Sequence, residues 1–490
     1  MNPKTHPTYC HYPFKALVFK QWSKDGTTPV NVTPCCMMMN PVSQDPLPIW
    51  VGRSKELVRP TLPNKHYNMG FTNEELIEKN PLEIFNSPQY EKLRSDLLNG
   101  IKNESCTVCW KMEERGLKSF RQNSTLEGRT SYHPYLQGGS EGLFEFDITL
   151  SNLCNLACRM CNMGSSHQLG KDVEAMRNNG TYEEFQKVSD RAMPDIKGMK
   201  SVIYDKDNNE VIDWLMNNTH QITMLKASGG EPFYDRRVVK VLEKYVEDDN
   251  AKNTTLKFHT NATQFTPELA KLLNNFKEQG HTFSIDGTQK TYNYIRHNSD
   301  WNKLNDSIDC FFIMCKNISH QYFNMVLSSL NILNVADYIE WICNKCAYHK
   351  VPDWYIHFSE MFPENRGTSI RNIPVELLEE SLDRIVEVLD SGISNAGQFH
   401  SGVPSNTVQA TIRGKEYKEW YRFDLQNLVG QIQNAIDNHN GDIKKMETEI
   451  TILDKVRDQS YKDYLDPLLI NILNGEAVQV ASSTDCKSAV

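Results

Sequence analysis

Across 490 residues no apolar run approaches the roughly 18 residues that a membrane-spanning helix needs, so no membrane span is expected. The opening segment MNPKTHPTYCHYPF lacks the basic and then apolar stretches of a secretory leader, and a cytoplasmic protein is expected. Excess positive charge is also missing. With 53 Lys and Arg against 62 Asp and Glu, the net charge is −9, which gives no electrostatic footprint for nucleic acid or for an anionic lipid surface. No internal repeat recurs at solenoid periods. A hydrophobic fraction of 39% and a charged fraction of 23% describe a polar, globular chain. Its length accommodates two or three domains of roughly 100–200 residues. A small molecule or a polypeptide is the expected substrate class.

Cysteine, by contrast, is plentiful. Thirteen is an odd number, and several of the cysteines sit at short spacings in a chain expected to be cytoplasmic, which favours metal ligation over disulfides. Random placement would give about 0.34 Cys-x2-Cys pairs. Three occur, at Cys106/Cys109, Cys158/Cys161 and Cys343/Cys346. The triplet Cys154-x3-Cys158-x2-Cys161 has a random expectation of about 0.009. Three thiolates on the short loop SNLCNLACRMCNMG match three irons of a [4Fe–4S] cube and leave the fourth iron open. An open position distinguishes a reactive centre from a closed structural one. The alternative is a zinc ion completed by a ligand such as His167, although no second Cys-x2-Cys follows at finger-like distance.

The flanking pattern is that of an α/β protein. Leu143–Leu150 alternates apolar with polar residues and reads as a strand running into the cysteine loop. Five further strands are expected at Ile222–Ala227, Leu256–Thr260, His281–Asp286, Tyr322–Leu330 and Trp354–Glu360. Helical stretches lie between them at Arg237–Val246, Pro267–Lys277, Leu304–Cys315 and Val335–Tyr348. After a long first gap the strand centres recur every roughly 26–42 residues, the length of βα units in a parallel sheet. In such barrels chemistry gathers at the C-terminal strand ends. Small polar residues recur there, in Ser228-Gly229-Gly230-Glu231-Pro232, Thr260-Asn261, Ser284-Ile285-Asp286-Gly287 and Asn331, and the sixth strand ends near Met361. Paired glycines allow close backbone approach to a ligand, and Glu231 is suited to accept from an ammonium group. Taken singly, the Gly-Gly-Glu-Pro segment, Asp286-Gly287, Asn261 and Asn331 also read as ordinary turn or capping residues.

Together, over roughly residues 144–371, these features resemble the radical S-adenosylmethionine (SAM) superfamily. The resemblance implies a partial (β/α)6 TIM-like barrel and a [4Fe–4S] cluster on Cys154, Cys158 and Cys161 that chelates the SAM amino and carboxylate groups. It implies SAM contacts from Gly229, Gly230, Glu231 and Pro232 to the amino group, from Ser284 or Asp286 to the ribose, and from Met160 to adenine. Asn261, Arg296, Asn331 and Met361 are second-rank candidates. Reductive cleavage of SAM would yield methionine and a 5′-deoxyadenosyl radical that abstracts hydrogen from the substrate. A donor such as flavodoxin or ferredoxin would supply the electron. No catalytic residue toward substrate is assigned.

Ahead of the barrel come Cys10, Asp25-Gly26, Cys35-Cys36, the amphipathic segment Pro81–Gly100, and Cys106-x2-Cys109. Four thiolates from two turns and one Cys-x2-Cys would close a second, all-cysteine site, suited to a cluster or to zinc. The order resembles the twitch/SPASM accessory domain and implies an auxiliary [4Fe–4S] cluster on Cys10, Cys35, Cys106 and Cys109, with Cys36 as the substitute for Cys35. Better-known members carry that domain after the barrel.

The expected organisation is therefore a twitch-like domain over 1–135, the barrel over 140–375 and a C-terminal helical extension over 376–490. The extension has helical patterns at Pro374–Leu389, Tyr417–Asp437 and Asp442–Arg457. It would either close the open side of the barrel or cover the substrate. Cys310, Cys315, Cys343 and Cys346 read as buried apolar thiols, and Cys486 as part of an exposed tail. His259 is a candidate substrate contact. His297, His349 and His357 read as structural, and Tyr234 either lines the site or packs. By resemblance the substrate is a peptide or protein. The alternatives are radical dehydrogenation of a small alcohol or sugar, and a non-catalytic metal-binding adaptor.

Overall fold

The computed structural model describes residues 8–20, 31–35, 80–114, 119, 121, 142–163, 165–189, 210–351, 354–360, 366–391, 408–418 and 425–476. Two expected site residues, Cys36 and Met361, lie outside them, as does Cys486.

Twelve strands occur among the described residues: β1 Ala16–Lys20, β2 Asn31–Thr33, β3 Glu145–Thr149, β4 Ala157–Cys158, β5 Met224–Ala227, β6 Thr255–Thr260, β7 Glu278–Ser284, β8 Arg296–His297, β9 Ile318–Leu327, β10 Trp354–Glu360, β11 Val408–Ile412 and β12 Lys415–Lys418. Eight form one sheet in the order β10-β9-β7-β6-β5-β3-β1-β2, with seven strands parallel and β2 antiparallel at the edge. The six strands expected from the sequence are β3, β5, β6, β7, β9 and β10. Each is the sheet neighbour of the next in the chain, the arrangement that right-handed βα crossovers produce. The α/β expectation is met.

The N-terminal segment contributes to this sheet. β1 runs parallel to β3 with Ala16 opposite Glu145 and Val18 opposite Asp147. Buried Glu145 accepts from both Lys15 (3.1 Å) and Lys226, and the two cations hold its carboxyl well below the usual range against the cost of burial.

Parallel strands are usually apolar on both faces; these are apolar on one. In register, Phe146, Leu225 and Leu256 line one face, as do Ile148, Ala227 and Phe258, all buried. On the opposite face Asp147, Lys226 and Lys257 are aligned. The same holds for β9 and β10. Phe323 and Ile356 are buried, as are Met325 and Phe358, whereas Tyr322 faces Tyr355 and Asn324 faces His357. A polar face on such strands is what a bound polar ligand requires.

By compactness the chain divides into a first unit of Met1–Cys154, Val202–Phe258 and Leu272–Gln279, and a second of Asn155–Ser201, His259–Lys271 and Gly280–Val490. In the second unit the C-terminal helix Leu425–Asp437 lies on edge strand β10. Asn427 Nδ2 and Gln431 Nε2 both donate to the Phe358 carbonyl, at 2.9 and 3.1 Å. This part of the extension covers a strand edge. The segment expected to be one helix over Tyr417–Asp437 is instead strand β12, ending at Lys418, followed by the helix from Leu425. Here Arg413 (φ 51°) and Gly414 (φ 76°) make the tight turn of a hairpin with β11. No described helix is long and apolar enough to cross a membrane.

Candidate active site

In the first unit the Gly-Gly-Glu turn is built against the backbone that leads into Cys154. Ser228 N donates to Ile148 O (3.1 Å), Gly230 N to Ser151 O (3.1 Å) and Glu231 N to Leu153 O (2.7 Å). Both glycines are required. Gly229 has φ +113°, and a Cβ on Gly230 would sit 2.0 Å from the Leu153 carbonyl oxygen. The turn is pinned further by Ser151 Oγ, which donates to Asp235 Oδ2 at 2.6 Å, while Arg237 pairs with the same carboxylate at 2.7 Å. Those donors hold the Asp235 carboxyl below its usual range despite burial. Glu231 is buried and accepts from Phe233 N at 3.3 Å, and Pro232 is buried beside it. The motif thus fixes the first cysteine of the triplet as well as presenting its own glycines.

In the second unit Cys158 and Cys161 lie on one tight turn, Cys161 N donating to Cys158 O at 3.0 Å. Cys158 belongs to the two-residue strand β4, which pairs antiparallel with β8 so that Cys158 stands opposite Arg296. Arg296 Nη1 reaches Cys158 Sγ at 3.8 Å, and Arg296 Nη2 reaches Asp286 Oδ2 at 2.5 Å. Asp286 is fully buried and also accepts from Val326 N at 2.8 Å. Burial pushes the Cys158 thiol up to about 12; the Arg296 guanidinium opposes this, while Cys161 and Asp286 reinforce it.

The remaining expected SAM contacts fall into two kinds. Asn331 is buried and saturated: its amide nitrogen donates to Asp286 O and Val326 O, and its oxygen accepts from Ser328 N. Asn261 donates to Asn155 Oδ1 (2.9 Å) and accepts from Thr263, tying strand β6 to the start of the cysteine loop. Both act as turn asparagines within the site's frame. Ser284 and Met160 are half-buried, and among the described residues nothing hydrogen-bonds the Ser284 hydroxyl. His259 and His357 are exposed. His349 pairs with Asp309 at 2.7 Å, a structural role. His297 is half-buried, with burial and the nearby Arg457 bringing it down to about 4. Cys343 and Cys346 are buried within the helix Val335–Tyr348, as small apolar side chains.

Sequence reasoning missed Arg159, Arg366, Glu449 and Asp454. The one sequence cue was a charged side chain, Arg159, inside the cysteine loop.

The N-terminal cysteines converge in the first unit. Cys10 packs in a buried cluster with Tyr12, Leu93, Leu97 and Trp110, and Cys35 and Cys106 lie against that cluster. Cys10 and Cys109 are within electrostatic reach of each other and of Cys106. Burial drives the Cys10 thiol up to about 12 and also raises those of Cys106 and Cys109. Arg121 stands over Trp110, donates to Tyr9 O (2.8 Å) and pairs with Glu113 at 2.6 Å.

All eleven described cysteines are free thiols. Among the described residues no three Cys, His, Asp or Glu side chains gather closely enough to ligate one metal ion. A cubane places each thiolate on a different iron and needs wider spacing than ligands of a single ion. Reduced, buried, like-charged thiolates are unfavourable without a cationic centre among them. Thiolates are the donors that an iron–sulfur cluster takes.

No family model matches the chain, and no curated protein matches it. Solved structures do. The chain is similar to SuiB of Streptococcus suis bound to the precursor peptide SuiA, at 12% identity and a TM-score of 0.31 over 59% of this chain and 60% of SuiB. It is similar to anSMEcpe with bound AdoMet, at 14% identity and a TM-score of 0.33 over 67% of this chain and 98% of that one. It is also similar to the radical S-adenosylmethionine methyltransferase TsrM from Kitasatospora setae, solved with cobalamin and a [4Fe–4S] cluster, at 12% identity and a TM-score of 0.29 over 45% of this chain and 34% of TsrM. The chain thus spans about three fifths of SuiB and one third of TsrM.

Proposed function

We propose that this chain is a radical SAM enzyme acting on a peptide or protein. The observation that carries the reading is the cysteine triplet, whose second thiol is buried beside Arg296 and whose first follows backbone clamped by the Gly229–Glu231 turn. Cys154, Cys158 and Cys161 would hold the [4Fe–4S] cluster that binds SAM. When bound, the pair supplies an electron and a 5′-deoxyadenosyl radical able to abstract hydrogen.

The chain's residues orient and enclose. Glu231, buried and aligned by the turn, accepts the SAM ammonium. Ser284 offers its hydroxyl to the ribose, while Asp286 is engaged by Arg296 and Val326 and acts through Arg296. Met160 offers an apolar surface to adenine. Arg296 keeps a positive charge against the Cys158 sulfur, where it balances thiolate charge.

Cys10, Cys35, Cys106 and Cys109 would hold an auxiliary [4Fe–4S] cluster, which would supply an acceptor for a substrate electron and so a net oxidation. A flavodoxin or ferredoxin would be the electron donor. The test is anaerobic incubation of reduced, reconstituted protein with SAM, reading 5′-deoxyadenosine and methionine. Formation that disappears in Cys158→Ala supports the proposal. Failure to cleave SAM with both clusters loaded and candidate peptides present favours an adaptor.

A further inference from the structure

The helix Ile443–Arg457 carries three ionisable side chains on its buried face, Glu449, Asp454 and Arg457. Each has a partner in or beside the cysteine loop. Arg457 pairs with Asp172 at 2.6 Å, on the helix Leu169–Asn178 that follows the loop. Asp454 pairs with Arg159 Nη2 at 2.5 Å, and Arg159 is the residue after Cys158. Glu449 pairs with Arg366 Nε at 3.1 Å, and Arg366 in turn donates Nη1 to Met160 O at 3.0 Å and Nη2 to Arg159 O. The two carbonyls between Cys158 and Cys161 are therefore both taken by one guanidinium.

That guanidinium is held on every side. Glu449 is fully buried and uses its second oxygen to accept from Thr368 N at 3.0 Å. A Cβ on Gly367 would lie 2.6 Å from Lys445 O and 2.8 Å from Glu449 Oε2, so only glycine lets the segment after Arg366 approach the helix this closely. Arg159 is braced likewise. Its Nε donates to Tyr294 O at 2.9 Å, its guanidinium lies 3.6 Å over the Tyr294 ring, and the Tyr294 hydroxyl donates to Asp454 at 2.8 Å.

Buried ion pairs are poor devices for stability alone, because apolar residues of equal volume serve as well or better. A planar guanidinium fork, however, fixes two carbonyls in direction, which apolar packing does not. Peptide planes at Arg159 and Met160 set how Cys158 and Cys161 present their sulfurs. We propose that Arg366 and Arg159, braced by Glu449 and Asp454 of the C-terminal extension, are positioning residues for the cluster-binding loop. The extension is then part of the metal site, although it contributes no ligand. This inference rests on the radical SAM reading.

The test uses the full chain, reconstituted anaerobically with ferrous iron and sulfide, and reads iron release to a chelator together with the EPR g values of the reduced cluster. Iron that Cys158→Ala protein fails to bind defines this cluster's share. The double variant Arg366→Met/Glu449→Gln removes both buried charges, keeps an acceptor for Thr368 N and deletes only the grip on the two carbonyls. It is expected to lose some stability, because two carbonyls lose their donor, and in the folded protein to release that iron about 10- to 100-fold faster, the usual effect of losing an outer support of a metal site, with shifted g values. Asp454→Asn keeps one acceptor oxygen for Arg159 and Tyr294, gives up the one that Tyr461 N uses, and removes one charge; it is expected to change both readouts in the same direction and decides the matter if the double variant does not fold. Release rates and g values equal to wild type in the folded variants would overturn the inference while leaving the reading intact. Wild-type protein that takes up no cluster at Cys158 would overturn the reading itself, and this inference with it.

Discussion

Arg296 and Cys158 face each other across a two-residue antiparallel ribbon, with the guanidinium 3.8 Å from the sulfur. Asp286, buried completely, holds Arg296 in that place from the other side at 2.5 Å. A fixed positive charge beside a cluster thiolate stabilises the reduced, more negative state. Arg296→Met is therefore expected to lower the cluster's reduction potential on the order of 60 mV, a tenfold shift for a one-electron couple, and Arg296→Lys to lower it less. An EPR-monitored redox titration measures this. An unchanged potential in the methionine variant would place Arg296 outside the cluster's electrostatic reach.

The Gly230 approach to Leu153 gives a second prediction. A methyl group 2.0 Å from a backbone oxygen cannot be relieved by a rotamer change. Gly230→Ala is expected to destabilise the fold by about 1–3 kcal/mol, the range for forced overpacking, and to lower iron incorporation. Thermal melts and iron analysis on the same sample check both effects. Wild-type values in both would mean that the turn is not fixed against the cysteine loop.

Acid sensitivity follows from His281. It is buried in an aromatic cluster with its ring stacked on Phe283 and edge-on to Phe265 and Phe311, and burial lowers it from an ordinary value of 6.5 to about 3, with His320 adding to the effect. The unfolded chain then binds a proton that the folded chain refuses. Its contribution is complete above about pH 6.5 and declines as the pH falls toward 3, reaching a loss of about 2 kcal/mol at pH 5. Urea denaturation at pH 7.5 and pH 5 should show that loss in wild type and less of it in His281→Phe. Equal losses in the two proteins would contradict this assignment.

Much of the architecture was legible because βα repeats write their period into the sequence. β10 was expected at Trp354–Glu360 and lies there, and the helix Val335–Tyr348 has its expected bounds. β1 was not expected, because its partner β3 lies more than a hundred residues away and ALVFK has no alternation to mark a face. β4 and β8 were missed for a different reason: two-residue strands have no periodicity, and only tertiary pairing defines them.

In the candidate site, spacing marked the cysteines proposed as ligands and not the side chains around them. The cysteine triplet stood out by its improbability, whereas Asn331 and Asp286 proved to be held by the fold itself, Asn331 bonding Asp286 O. Glu449 is invisible from sequence because a lone acid on an amphipathic helix ordinarily faces water; its burial becomes evident only when Arg366 is placed against it.

The most direct measurement is iron, sulfide and EPR analysis of anaerobically reconstituted protein, comparing wild type with the Cys154→Ala/Cys158→Ala/Cys161→Ala triple variant. The account predicts about eight irons per chain in wild type and about four in the variant, with the signal that responds to SAM lost. Zinc in place of iron, or equal iron and the same SAM response in both proteins, would contradict it.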